Sequence, residues 1–290
     1  MNEAPSRDTE ILPRISIVTP SYNQGDYLEA TITSVLSQNY PNLEYFIIDG
    51  NSTDDSVNVI KRYADRLTYW VSEPDRGQSH AINKGFARAT GDIFTWLNSD
   101  DRLEPGTLMT VAEEAQKFPD AGAFVGEGRM VNRAGRVVYY KRPAELTFEG
   151  FCRWLDHGNF MQPSCFFRRS AWEIAGPLDE SIHVAMDVDL WLRMVRRVEF
   201  RPIHRLLSTA LAHEHAKTQA HPDEMVVDIA IQVIRAGGQE AVRQRLVHAV
   251  NVAARQERRR FVNRPLARFV RRGLRYLASR SGIIPATRET

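Results

Sequence analysis

Asp100 and Asp101 stand side by side directly after the apolar run Ile93–Leu97, within Asn98-Ser99-Asp100-Asp101. Adjacent carboxylates repel each other unless something positive holds them. A hard divalent cation, bound through few protein oxygens while substrate phosphates complete its shell, is the usual solution. The plainer alternative makes them turn residues and a cap ahead of a helix at Gly106. Asp187 begins another helical pattern and is a carboxylate of the kind that takes a proton from a poor nucleophile such as a hydroxyl. Asp189, two residues on, points to a different face and has Arg193 four residues later as a surface partner. Trp191, four after Asp187, shares its face, where it lines either a pocket or the core. His213 and His215 would share one face of an extended segment, but no third zinc ligand of fitting spacing lies nearby. Cys152 and Cys165 are too few for a disulfide framework or a thiolate metal site, and read as buried thiols.

These groups need elements to hold them, and the chain alternates β-rich runs with helical patterns, which predicts βαβ units and a mostly parallel sheet. Strands are expected at Ile15–Pro20, Leu43–Ile48, Leu67–Val71 and Ile93–Leu97. A helix after Gln24 carries Leu28, Ile32, Val35 and Leu36 on one face, with Asp26 and Glu29 at capping-box spacing. Further helices are expected over Val57–Tyr63 and about Gln78–Ala89. Open α/β sheets bind ligands outside the carboxyl ends of their strands. Thr19 to Asn23, Asp49, and Asn98 to Asp101 all fall at such ends, in one crevice. The middle, Gly106 to Arg205, mixes a helix, short strands around Phe124 and Val137–Tyr140, the loop Met161–Phe167 and the helix near Asp187. From Pro222 onward the pattern is helical.

The 290 residues, 43% hydrophobic and 26% charged with 17 Gly and 14 Pro, exclude collagenous, disordered and disulfide-stapled classes. No membrane span or signal peptide is visible, which predicts a cytoplasmic protein. The net charge of +2 hides an asymmetry: residues 255–290 hold eleven Arg against Glu257 and Glu289, a net +9 that leaves the rest near −7.

The run ISIVTPSYNQGDYLEATITSVLSQNYPNLEYFIIDGNSTDDS, then SEPDRGQSHAINKGFARATGDIFTWLNSDD, MQPSCFFRRSAWEIAGPLDESIHVAMDVDLWLRM and HEHAKT, resembles the inverting family 2 glycosyltransferases of the GT-A fold. Several separate motifs in the right order make the resemblance specific. It implies an α/β fold, a Rossmann-like mixed sheet flanked by helices, with a helical C-terminal appendage. It also implies metal-dependent, inverting hexosyl transfer from a UDP- or dTDP-type nucleotide-sugar to a hydroxyl of a glycan or lipid-linked acceptor, in cell-surface polysaccharide synthesis. Residue by residue, it puts Thr19, Pro20, Tyr22 and Asn23 at the nucleotide, with the Tyr22 ring on the base, and gives Asp49 the pyrimidine imide N–H. Arg76 and Lys84 fall near the diphosphate, and Asn98 and Ser99 in the nucleotide loop. Asn98-Ser99-Asp100 occupies the slot of the family's Asp-x-Asp. The implied ligands of Mn²⁺ or Mg²⁺ are therefore Asp100, Asn98 and His213, and the amide at 98 predicts weaker metal affinity. Asp187 falls at the catalytic base, preceded by Met186 where the motif usually has Glu. Trp191, Gln162 and Asp101 fall in the acceptor or sugar pocket, and Lys217 close to His213.

The domain reading is a polar arm at 1–13, a catalytic domain at 14–218 divided at 101/102 into nucleotide-binding and acceptor-binding halves, and a helical basic region at 219–290. In that region Leu266, Phe269, Val270, Leu274 and Leu277 make an apolar stripe behind Pro265, with Arg268, Arg271, Arg272 and Arg275 opposite. Such a helix lies on an anionic membrane, packs on the catalytic domain, or is solvated. A peripheral place on the inner membrane face follows from the first. Nucleic acid is not expected as a partner, because the body is acidic and no basic-aromatic module is present. Two other functions fit parts of the pattern. A glycoside hydrolase also uses paired carboxylates, but needs neither nucleotide site nor metal. A degenerate, non-catalytic nucleotide-sugar-binding protein would account for Asn98 and Met186. A dinucleotide dehydrogenase is not expected, because no Gly-x-Gly-x-x-Gly follows the first strand.

Overall fold

The computed structural model describes residues 12–214, 216 and 222–263. The first eleven residues of the expected arm, His215, Lys217 and the apolar stripe Leu266–Leu277 with its arginines lie outside them. The chain first alternates strand and helix: β1 (Ile15–Ser21), α1 (Gly25–Leu36), β2 (Leu43–Asp49), α2 (Ser56–Arg62), β3 (Tyr69–Ser72), α3 (Gln78–Phe86) and β4 (Ile93–Trp96). It continues with β5 (Arg102–Leu103), α4 (Thr107–Lys117), β6 (Ala123–Asn132), β7 (Val137–Lys141), α5 (Phe148–Cys152), α6 (Trp154–His157), β8 (Cys165–Arg168), α7 (Arg169–Ala175), α8 (Met186–Met194) and β9 (Phe200–Ala212). Two helices follow, α9 (Pro222–Arg235) and α10 (Gln239–Asn263).

The strands make one mixed sheet in the order β3-β2-β1-β4-β8-β6-β9-β5, with β7 added to β6. β1 to β4 are parallel to one another, β8 is antiparallel to β4 and β6, and β9 is parallel to β6. Both faces are covered, which is why the parallel strands read as continuous apolar runs. On one face Ile15, Ile17, Ile47 and Ile93 pack with Leu28, Ile32 and Val35 of α1 and Leu108 and Val111 of α4. Each fully buried side chain of this size stabilises the fold by about 1.5–3 kcal/mol. The other face is aromatic, with Phe94, Trp96, Phe167 and Trp191 in mutual ring contact.

The expected capping box at α1 does not form. The helix starts at Gly25, whose N–H donates to Asp54 Oδ2 at 2.8 Å, while Gln24 N–H donates to Ser56 Oγ at 3.1 Å. Glu29 instead accepts from the Tyr63 hydroxyl at 2.8 Å and pairs with Arg62 at 3.2 Å.

The chain divides into two compact units, residues 1–239 and 240–290. In the first, α9 packs against α8 and α6, so this unit continues to 239. The described residues of the second unit belong to the long helix α10.

Candidate active site

The carboxyl ends of β1, β2 and β4 lie side by side where the sequence predicts a crevice, and short hydrogen bonds tie the loops there together. Asp49, at the end of β2, is fully buried. Its Oδ2 accepts from Ser52 N–H at 2.9 Å and Ser72 Oγ at 2.7 Å, and its Oδ1 accepts from Ser52 Oγ at 2.5 Å. A carboxylate has about four acceptor positions, so one remains, on Oδ1. Asn23 adopts a left-handed φ of 51° that asparagine tolerates. It joins the β1 and β2 loops, accepting from Thr53 N–H at 2.8 Å and donating its own N–H to Ser52 Oγ at 2.8 Å. Beside it Tyr22 is 63% exposed, its ring presented to solvent at the mouth.

Beyond β4 the chain turns sharply, with Asp101 N–H donating to Asn98 O at 3.0 Å. The Thr31 hydroxyl, fully buried on α1, pins this turn by reaching Ser99 O at 2.9 Å and Asp101 O at 2.7 Å. Asp100 Oδ2 lies 2.8 Å from His213 Nε2, with the imidazole buried and the carboxylate partly open. β9 delivers His213 directly after its last residue, and the Tyr27 ring lies on the imidazole, centroids 4.5 Å apart. Arg133 donates to the Tyr27 hydroxyl at 2.7 Å and to Glu214 at 2.8 Å.

The third part of the site comes from the far side of the sheet. Asp187 lies in the first turn of α8, where the free N–H groups of a helix favour negative charge, and Val188 N–H donates to its Oδ1 at 2.8 Å. Met186 is buried, with the Ser79 hydroxyl 2.7 Å from its sulfur, so position 186 faces inward. Gln78, next to Ser79, donates to Asn98 Oδ1 at 2.6 Å, and Gln162 Oε1 accepts from Asn98 Nδ2 at 3.4 Å. Gln162 is held by its own bond to Trp96 O at 2.9 Å. The Asp187 charge reaches the buried Cys165 and, after burial itself, contributes to raising that thiol's pKa well above its usual range. These contacts run from Gln162 and the Asn98 turn to Gln78, and the neighbouring Ser79 touches Met186, next to Asp187.

Several expectations are corrected. Thr19 is fully buried and its hydroxyl bonds to that of Tyr45 at 3.0 Å, so its side chain serves the sheet and not a ligand. Pro20 and Ser99 are likewise buried, Ser99 facing α1 through its carbonyl. Asp101 lines no open pocket: it is buried behind Asp100 and accepts from Asn98 Nδ2 at 3.1 Å. Burial and the Asp100 charge push its acid well above the usual range, against the bonds from Asn98 and Leu211 N–H. Asn98 spends both ends of its amide inside the protein, on Gln78 and on Asp101 and Gln162, so it is not set to ligate an ion. Trp191 is a core residue, fully buried and stacked on Trp96 at 5.3 Å. Arg76 is engaged with Glu180 at 2.6 Å and Lys84 with Glu73, both at the surface. Asp189 pairs with Arg193 at 2.7 Å, as its spacing predicts.

The sequence reading missed Thr31, Gln78 and Tyr27, which hold Ser99, Asn98 and His213. Their signal, a polar or aromatic residue on a helix that follows a strand end, is common in α/β proteins and singles out nothing alone.

A divalent ion is the group this crevice implies. Among the described residues, no group of three or more His, Cys, Asp or Glu side chains gathers to hold one. The donors that converge are the Asp100 carboxylate and the His213 imidazole. Such a pair fits an ion that completes its shell with phosphate oxygens and water.

A parallel nucleotide-binding half joined to a mixed second half that brings up the opposite wall is the GT-A arrangement of glycosyltransferases. TarS 1-349 of S. aureus in complex with UDP-GlcNAc superposes with a TM-score of 0.59 at 17% identity, over 76% of this chain and 66% of that one. The mannosyltransferase PcManGT of Pyrobaculum calidifontis, in complex with GDP-Man and Mn²⁺, gives 0.53 at 17% identity over 93% and 87%. At such identities the likeness concerns the fold. The sequence profile of Glycosyl transferase family 2 matches residues 16–174, and the chain belongs to that family. An uncharacterized glycosyltransferase of Rickettsia typhi is 26% identical over 216 residues, 71% of this chain and 66% of the relative. The putative teichuronic acid biosynthesis glycosyltransferase TuaG of Bacillus subtilis is 32% identical over 141 residues, 47% and 56%. The chain thus spans slightly under two thirds of the one relative and just over half of the other.

Proposed function

We propose that this glycosyltransferase moves a sugar from a pyrimidine nucleotide-sugar, UDP- or dTDP-linked, to a hydroxyl of a glycan or lipid-linked acceptor, inverting the anomeric centre. The observation that carries this reading is the pairing of Asp100 with His213 after β4, together with Asp187 in the first turn of α8 next to Met186, which touches Ser79 beside the Asn98-bonded Gln78. Tyr22 offers its exposed ring to the base, and the remaining acceptor position of Asp49 suits an imide N–H. Asp100 and His213 would hold Mn²⁺, or Mg²⁺, the imidazole nitrogen favouring the transition ion. When bound, that ion supplies Lewis-acid stabilisation to the departing diphosphate. Asp187 takes the acceptor's O–H proton as the oxygen attacks the anomeric carbon. The bond from that carbon to the diphosphate oxygen breaks, and its electron pair leaves with the nucleotide. A role in cell-surface polysaccharide synthesis is supported by the TuaG relative, and a cytoplasmic setting by the two free, buried cysteines.

Calorimetry with UDP and Mn²⁺, followed by incubation with labelled UDP-sugars and extracted lipid acceptors, tests the reading. UDP binding that strengthens with Mn²⁺, and labelled product that Asp187→Asn abolishes without altering the melting temperature, are expected. A protein that binds no nucleotide, or one whose Asp187→Asn variant transfers at the parent rate, would remove it.

A further inference from the structure

β7 lies outside the main run of the sheet. β8 pairs with the first part of β6 and β7 with the second, so the β6–β7 ribbon is a hairpin with β9 along its other side and β7 at the open edge. Asn132 shapes its turn, its Oδ1 accepting from the N–H groups of Ala134 and Arg136, both at 3.0 Å, while Gly135 takes a φ of 74°. The outer strand is apolar and open: Val137 is 41%, Val138 56%, Tyr139 44% and Tyr140 60% exposed. Tyr139 pairs with Met130 and Tyr140 with Arg129, so the two rings leave opposite faces of the ribbon, and the register skips Val138. Among the described residues β7 pairs with β6 alone. From Arg129 to Arg142 the sequence holds four Arg and one Lys, and neither Asp nor Glu; Arg129 pairs with Glu104, Arg133 with Glu214, and Arg142 with Glu127 at 3.3 Å while its side chain stays 81% exposed.

The occupant of this surface follows from charge and shape. A second copy pairing antiparallel along β7 would set Arg136 of one chain against Lys141 and Arg142 of the other, which like-charge repulsion opposes. Arg136 and Lys141 with Arg142 put cations at both ends of β7, so charge favours an anionic occupant. A lipid surface uses all of this: tyrosines settle at headgroup depth, valines reach the acyl boundary, and arginines meet anionic headgroups. We propose that the β6–β7 ribbon docks the catalytic unit on an anionic lipid surface, with Val138 and Tyr140 entering the headgroup layer and Arg136 and Arg142 facing lipid phosphates. The ribbon also borders the site. β9 runs beside β6 before delivering His213, and the Asp101 charge adds to burial in raising the Tyr139 phenol's pKa. Docking there would bring the acceptor side toward lipid-borne substrates. The binding itself is independent of the proposed reaction.

Flotation of the full chain with vesicles of phosphatidylcholine, with and without phosphatidylglycerol, tests the proposal. The parent should float with the anionic vesicles and less so as salt rises. The double variant Val138→Ser, Tyr140→Ser should lower the bound fraction about tenfold, and Arg136→Glu should do the same alone. Melting temperature and UDP affinity should stay at the parent values. The C-terminal basic segment is present throughout, so the difference belongs to the ribbon. Arg136→Glu keeps the test decisive if the double variant folds poorly. The idea fails if the parent does not float, or if the variants float as the parent does. It also fails if their only loss is in self-association or in binding a soluble glycan acceptor.

Discussion

Asp187 and Trp191 stand one helical turn apart on α8 and have different surroundings. The carboxylate is at the helix start, partly open, while the indole is fully buried against Trp96, with Phe160 and Phe167 also in ring contact. Spacing shows that two residues share a helix face, but not which part of that face meets solvent. That is why Trp191 read as easily as a pocket wall. The two roles separate on mutation. Trp191→Ala should cost about 3–5 kcal/mol in urea denaturation, since it empties a packed aromatic layer. Nucleotide affinity in the folded fraction should hold. A pocket role would give the reverse, a raised donor KM at unchanged stability. Asp100, its charge partly open and His213 at 2.8 Å, was legible from the repulsion of adjacent carboxylates. The burial of Asp101 was not, because it depends on β9 crossing behind the turn.

At the scale of elements, the parallel half was legible because buried strands and amphipathic helices write their periods into the sequence. β1 and β4 fall within a residue of their expected bounds, and the strand-end crevice followed from them. What joins the elements was hidden, since the start of α1 is capped from a remote loop. Asp54 is the clearest case. Its Oδ2 accepts from Gly25 N–H at the start of α1, and its Oδ1 from Ser56 N–H at 3.0 Å at the start of α2. Burial pushes the Asp54 acid up, but the bonds from Ser56 and Gly25 outweigh it, and the folded pKa lies below the ordinary 3.8. A lowered acid stabilises the fold above its unfolded pKa, and the contribution fades as pH falls through the folded value. Asp54→Ala should therefore cost about 1 kcal/mol near neutrality, the usual loss for a helix cap. The variant and parent stabilities should converge below pH 3.8. Denaturant melts across the acid range check this, and a constant gap at every pH would argue that the bonds are not charge-assisted. β9 was missed for a related reason: Arg201, Pro202, His204 and Arg205 interrupt its apolar alternation, and pairing with β6 and β5 makes the segment a strand.

At the scale of the whole chain, opposite charges sit on the two units. Residues 240–290 contain thirteen Arg and three Glu, a net +10 that leaves residues 1–239 at about −8. Among the described residues no helix is long and apolar enough to cross a membrane. The first unit contains β1 to β9, both faces of the core and the whole crevice, which predicts that it folds alone. A protein ending at Gln239 should melt cooperatively, bind UDP as the full chain does, and pass through a cation exchanger at neutral pH that retains the full chain at low salt. With anionic vesicles it should bind more weakly than the full chain, having lost the basic segment, yet still lose further binding on Val138→Ser, Tyr140→Ser. Its acidic body repels the same lipids over most of its surface, so a residual signal that depends on the ribbon would separate local recognition from net charge. If the shortened protein aggregates or melts without cooperativity, the second unit is part of the folding core and the charge division has no functional boundary.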